Sequence, residues 1–386
     1  MTKKLSECQA ETVQFMPIEK VTNLDRDYEC RTESFSQSNG LLRRGKKLED
    51  NNNLTKEEEE YINYRQLLKY EQAPEYIKHN QYIRDGYRKF LPTRLCWESI
   101  FWWTNETMNI WTHIFGFFLL LFLTINDLVI INIHATVTDK IVAGLLFSCF
   151  LVCMLLSALY HTFSCRSEHD YNTFLMYDLF GIALSLLAIY TSGVYYAFWC
   201  HSELKTFYMT SVTVIFVVAM VLQIPRLGVP YPVKMCVFIG WAAYGVLPTL
   251  HWTYTMGGFE NPMVQMFFPR VIGMYVISGT AFVIYAFKPI LICLSLSSVF
   301  SYLLIPRLRY PLTVLKVVYN IFSQLSSRLT FQVPERWFPG KVDYIGHSHQ
   351  WWHVLVLGAL YYWHNSGMMY VQYRMNHGCA NTMRIF

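Results

Sequence analysis

Apolar residues along this chain gather into long runs instead of alternating with polar ones. The runs fall at 110–132, 141–163, 173–197, 206–225, 234–253, 270–288 and 350–372. Each is the length of a helix that crosses a bilayer, because about 20 residues rising about 1.5 Å apiece span a hydrocarbon layer ~30 Å thick. Strands with a two-residue period are excluded by the length and uniformity of the runs. The pattern predicts an all-α membrane protein, a seven-transmembrane helical bundle with mostly short loops and no internal repeat.

The flanks read differently. Residues 1–60 are rich in Lys, Glu, Asn, Ser and Thr. So little apolar surface cannot support a fold, and a disordered cytosolic tail is expected, with Thr55–Glu60 starting a short helix. Residues 61–103 gain Tyr, Ile and Leu and read as an ordered cytosolic and interfacial segment. Within it, Pro92 opens TRLCWESIFWW, where Trp97, Phe101, Trp102 and Trp103 mix with Arg94 and Glu98. That mixture suits a helix lying in the headgroup layer ahead of the first span. The membrane domain then occupies 104–376, followed by a short luminal or extracellular tail at 377–386. No apolar stretch near residue 1 reads as a signal peptide, so an internal span is expected to direct insertion.

One stretch does not fit the simple bundle. Residues 289–330 form an atypical insert between the sixth and seventh runs and contain ILICLSLSSVFSYLLIP, 17 residues at the lower limit for a span. Only Lys288 and Pro289 separate it from the sixth run, which leaves little room for a turn. An interfacial or poorly ordered insert is therefore expected, one that does not cross.

Composition agrees with this reading. Of 386 residues, 53% are hydrophobic, 17% aromatic and only 15% charged, against about 25% charged in soluble domains. The net charge of +5 is scattered, so no nucleic-acid surface is expected. The ten cysteines show neither metal-ligand nor disulfide-framework spacing. Several, such as Cys149 and Cys153, lie in apolar runs and read as small buried hydrophobes. Loop cations set the orientation. Arg88, Lys89, Arg94, Arg166, Arg226, Lys234 and the basic residues between 288 and 341 share one side. Lys140, Lys205, Arg270, Arg374 and Arg384 lie on the other. The excess predicts a cytosolic N-terminus and, with an odd number of spans, an external C-terminus.

Ionisable residues inside spans are costly and so mark candidate sites. The second run ends Ser157-Ala-Leu-Tyr-His161, the third opens Tyr177-Asp178, and the seventh opens His347-Ser-His349-Gln-Trp-Trp-His353. His349 and His353 are four apart, on one helix face and about 6 Å apart along its axis. Two imidazoles so placed can share a cation. In the predicted topology the second run ends where the third and seventh begin, so His161 and Asp178 meet the pair at one depth. Three nitrogens would leave a fourth zinc position for water, which zinc acidifies and Asp178 can hold or deprotonate, while Ser157 can donate to a substrate oxygen. The plainer alternative is a polar cap at a helix start, with Ser157 a small packing residue. His347 is six residues from His353 and faces elsewhere. Glu106, Asn109 and His113 form a stripe at the start of the first run that reads as a supporting polar network. His251 and His364 lie towards the far end.

The segments NETMNIWTHIFGF (from Asn105), SALYH (from Ser157), YDLFGI (from Tyr177) and SHQWWH (from Ser348) together resemble the signatures of the progestin and adipoQ receptor family. The stretches from Tyr70 to Cys96 and VPERWFPG from Val333 resemble its third, Golgi-resident branch, which tethers Raf kinase. The resemblance implies a seven-helix fold with a cytosolic N-terminus and a zinc ion on His161, His349 and His353, with Asp178 nearby through water. It also implies a membrane-lipid environment, a Raf-like cytosolic kinase as partner of the N-terminal segment, and the Golgi membrane rather than the plasma membrane. The family is related to alkaline ceramidases, so two functions are carried forward. One is a receptor or scaffold with a zinc site. The other is a zinc-dependent, ceramidase-like lipid amide hydrolase using Asp178 and Ser157. A channel is disfavoured, because no ring of like charges lines several runs.

Overall fold

The computed structural model describes residues 55–224, 227–229, 231–304 and 332–377. The predicted tails at 1–54 and 378–386, and the insert from 305 to 331, lie outside them. Contacts divide the chain into two units, Met1–Glu60 and Tyr61–Phe386. In the first, the described residues begin helix α1 (Lys56–Arg65). The Thr55 hydroxyl accepts from the Glu58 amide at 3.3 Å and Glu58 Oε2 accepts from the Thr55 amide at 2.9 Å, a reciprocal cap that explains why the helix starts there.

The second unit is helical. Among the described residues its β structure is a single bridge between Leu68 and Tyr87. After Pro92, α2 (Thr93–Glu98) runs into a short 3-10 turn, Ser99–Phe101. Leu95, Cys96 and Trp102 are buried with Phe163 and Cys165, while Trp97 and Phe101 face outward. The long helices follow: α3 (Thr107–His134), α4 (Val137–Phe163), α5 (Glu168–Ala197) and α6 (Ser202–Val221). Thr136 and Ser167 cap α4 and α5, each hydroxyl accepting from the amide three residues on, which supplies one of the donors a helix start leaves unpaired. Then come α7 (Tyr231–Tyr244), α8 (Val246–Thr255), α9 (Pro262–Leu304) and α10 (Ser348–Asn376).

Six segments are long and apolar enough to cross a membrane: Thr107–Val129, Val137–Phe163, Glu168–Ala197, Ser202–Val221, Val233–Thr255 and Pro262–Ile284. With its 29 residues α10 is long enough to be the seventh. It is more polar because it carries His349, His353, His364 and Arg374 on a helix packed among the others. The chain is thus a multi-pass α-helical membrane protein.

Two details depart from the pattern. The fifth span is two helices meeting at Gly245, where any side chain would strike the Tyr190 and Tyr275 rings. Tyr190 directs its hydroxyl at the carbonyls of Trp241 (2.7 Å) and Ala242 (2.9 Å), which occupies carbonyls beside the break where lipid offers no donor. The helix that carries the sixth span does not end at 288. Helix α9 continues through Lys288 and Pro289 to Leu304, 43 residues in all, or about 64 Å at the α-helical rise. Residues 289–304, expected to begin an interfacial insert, extend the helix because the run after Pro289 holds no Gly or Asn to stop it.

Far from the predicted site, Arg374 pairs with Asp139 and reaches the Tyr195 hydroxyl. His364 Nε2 lies 2.6 Å from Asp127 Oδ2, and His251 bonds Tyr208 at 2.8 Å. Each of these histidines thus bonds a polar side chain away from the predicted site. Cys149 and Cys153 are free thiols packed in the bundle. Cys200 and Cys236 are each disulfide-bonded, so the buried-hydrophobe reading does not extend to all ten cysteines.

Helices α4 and α5 approach closely at Gly181, where an added Cβ would stand 3.0 Å from the Cys153 Cα. Small residues permit such backbone contact between membrane helices. Gly181→Leu is expected to destabilise the bundle by about 1–3 kcal/mol, as overpacking does, and to lower the thermal midpoint of the detergent-solubilised protein.

Candidate metal centre

His161 sits in the last turn of α4, and His349 and His353 in the first two turns of α10. The opposite directions of the two helices bring these ends together. His349 Nε2 lies 3.4 Å from His161 Nε2 and 3.2 Å from His353 Nε2. The ligand atoms of all three lie within 4.8 Å of one another. Nitrogens held about 2.0–2.1 Å from a tetrahedral zinc stand roughly 3.3 Å apart, so these separations fit one ion. A hydrogen-bonded cluster fits less well. His349 Nε2 faces two ring nitrogens and has at most one proton to give, whereas a cation would satisfy all three at once.

Asp178 lies beside this group without joining it. It is not among the mutually close ligand atoms. The Ser157 side chain lies near its carboxylate, and its Oδ1 is buried without a hydrogen bond among the described residues. Both predicted polar residues therefore stand together beside the three histidines. His347 stays outside the cluster, as its spacing predicts, and its Nε2 donates to the Asn105 carbonyl at 3.3 Å. Just ahead of α3, Glu106 Oε2 meets His161 Nδ1 at 2.8 Å, and from α3 itself the His113 ring packs 4.0 Å from that of His353.

The segment ahead of α3 forms the roof, through residues that sequence patterning did not single out as part of the site. The buried Arg88 guanidinium donates to the Ser99 hydroxyl (2.8 Å), the Thr162 carbonyl (3.0 Å), the Ser164 hydroxyl (3.3 Å) and the His161 carbonyl. A helix end leaves carbonyls unpaired, and an arginine fork suits them. Glu335, fully buried, accepts from Asn80 Nδ2 at 2.8 Å and from the Ser348 amide at 2.7 Å. Its charge thereby sits at the start of α10, where the helix dipole favours an anion. Asp343 Oδ2 accepts from the Arg84 and Asp85 amides at 3.1 and 2.9 Å. Burial pushes its carboxyl above the usual range, and those two amides pull it part of the way back. The only sequence signal for Arg88 was charge within a segment already read as ordered, and Glu335 and Asp343 lie outside that segment.

Elsewhere the bundle carries an apolar pocket of about 130 Å³ lined by residues including Tyr190, Val194, Trp252, Met274 and Trp363. None of the three histidines lines it, nor does Asp178 or Ser157.

Fold and site define a multi-pass helical membrane protein with a buried three-histidine cluster at one end of its bundle. The model of the haemolysin-III related family matches residues 101–300 and 290–364, in two pieces. The chain is 38% identical over 321 residues to progestin and adipoQ receptor family member 3 of Mus musculus and 37% identical over 321 residues to that of Homo sapiens. Each alignment covers 82% of this chain and 89% of the relative. It is 28% identical over 296 residues to the adiponectin receptor protein of Drosophila melanogaster, covering 76% of this chain and 56% of that one. The chain belongs to the progestin and adipoQ receptor family.

Arg88→Met removes a charged donor from two helix-end carbonyls and is expected to cost about 3 kcal/mol, read as a lower unfolding midpoint in detergent. Arg88→Lys should recover only part of it, because an ammonium lacks the planar fork that reaches four acceptors.

Proposed function

We propose that this chain is a receptor or scaffold of its family, with one zinc ion on His161, His349 and His353, and that its segment 61–103 tethers a Raf-like kinase at the Golgi membrane. The observation that carries this reading is the state of that segment. It is an ordered platform pinned to the end of the bundle by Arg88 and by the partners of Glu335 and Asp343, within a chain that aligns with family member 3 over 82% of its length. In this reading zinc joins α4 to α10 and stiffens the base on which the segment sits.

A ceramidase-like hydrolase is the second reading, supported by the buried, partly unbonded Asp178 carboxylate beside Ser157. Zinc, when bound, would supply a Lewis acid that acidifies water. Asp178 would accept the proton, and Ser157 would hold the carboxylate in place.

Metal analysis of the purified chain is expected to find near one zinc per wild-type molecule and none in His349→Ala/His353→Ala. A metal-free, well-folded wild type would remove the zinc reading. Asp178→Asn separates the two functions. Kinase recruitment to Golgi membranes that persists in this variant, with no metal-dependent fatty-acid release from ceramide by either form, supports the scaffold. Release by wild type that the variant loses supports the hydrolase.

A further inference from the structure

We infer that Glu106 is the positioning residue that fixes the His161 tautomer and thereby sets the affinity of the three-histidine site for its metal. The inference rests on the metal reading above and deepens it. Glu106 Oε2 stands 2.8 Å from His161 Nδ1. An ionised carboxylate only accepts, so the imidazole proton is held on Nδ1 and the Nε2 lone pair is left facing His349 and His353. The carboxylate is itself held: Asn109 Nδ2 donates to the same oxygen at 2.8 Å, and the Glu106 amide donates to Thr104 Oγ1 at 3.1 Å. From the other side Arg88 grips the His161 carbonyl. Ring and backbone of this one ligand are therefore both fixed.

The other helix contributes a ligand without such support. His353 Nδ1 is buried with no hydrogen-bond partner among the described residues. Its neighbour His113 packs ring against ring, and neither His113 nitrogen is bonded there. The site is thus asymmetric. One imidazole is locked in the ligating tautomer by its carboxylate partner, and carboxylates placed behind metal-bound histidines typically contribute about 10- to 100-fold in affinity. Glutamine at this position keeps the shape but loses the charge. It can also turn its amide to donate to Nδ1, which would move the proton to Nε2 and block the metal.

The test is chelator competition for zinc on the full-length chain in detergent, comparing wild type with Glu106→Gln, Asn109→Ala and Glu98→Gln. Glu98 is a control carboxylate that bonds Tyr61 away from the histidines. The expected result is a loss of about 10- to 100-fold in Glu106→Gln, a smaller loss in Asn109→Ala and none in Glu98→Gln. The cobalt-substituted Glu106→Gln protein should also show shifted visible bands, which a loss of general stability would not produce. Equal zinc affinity and unshifted cobalt bands in wild type and Glu106→Gln overturn this inference while leaving the three-histidine site standing. Failure of the wild type to bind zinc overturns both. Should Glu106→Gln not fold, Asn109→Ala decides: unchanged affinity there counts against the inference.

Discussion

A helix that stops at the edge of an apolar layer leaves carbonyls that neither lipid nor its own backbone can satisfy. In this protein that constraint is met at the end of α4 by one guanidinium. Arg88 binds the carbonyls of His161 and Thr162 and the hydroxyls of Ser99 and Ser164. The arrangement holds the last turn of α4 in helical register, and His161 occupies that turn. It also draws the segment before α3 against the bundle, so that Leu91, Leu95, Cys96 and Trp102 close over Phe163 and Cys165. Position of His161 and order of the segment before α3 are two results of one set of hydrogen bonds.

The same logic acts at the start of α10. Glu335 supplies an anion to the unpaired amides there, and Asn80 supplies a partner to Glu335. Both helices that bear the clustered histidines are therefore fixed at their site ends by a charge from outside the bundle, one a cation on carbonyls and the other an anion on an amide. Tertiary contact does here what short-range capping does at Thr136 and Ser167.

Much of this was legible in the sequence. Run length alone gave the spans, because a membrane helix must be long and apolar whatever its neighbours. The histidine cluster followed from a four-residue spacing and from the direction of each span, both local properties. What escaped notice depends on pairs far apart in the chain. Arg88 and His161 are separated by 73 positions, and Asn80 and Glu335 by 255. Arg88 looked like a loop cation, and the two buried carboxylates had no periodicity to mark them. The break at Gly245 was hidden inside an unbroken apolar run, since its cause is the room taken by Tyr190 and Tyr275. The continuation of α9 past Pro289 was not foreseen: the short Lys288-Pro289 link was read as leaving no room for a turn and so as the start of an interfacial insert, whereas the helix runs straight through it.

The grip of Glu335 and Asp343 on residues 80–85 has a consequence for how this family can vary. Those bonds fix where the chain must be when it enters α10, whatever length of polypeptide precedes Gln332. Closing a loop between two pinned points costs only about 0.6 kcal/mol more each time the loop doubles in length. The connection from the sixth helix to the seventh is therefore a place where residues can be gained or lost at small thermodynamic cost, and the register of His349 and His353 is insulated from that change. Length in this link is free to drift among relatives while the chemistry beside it stays put.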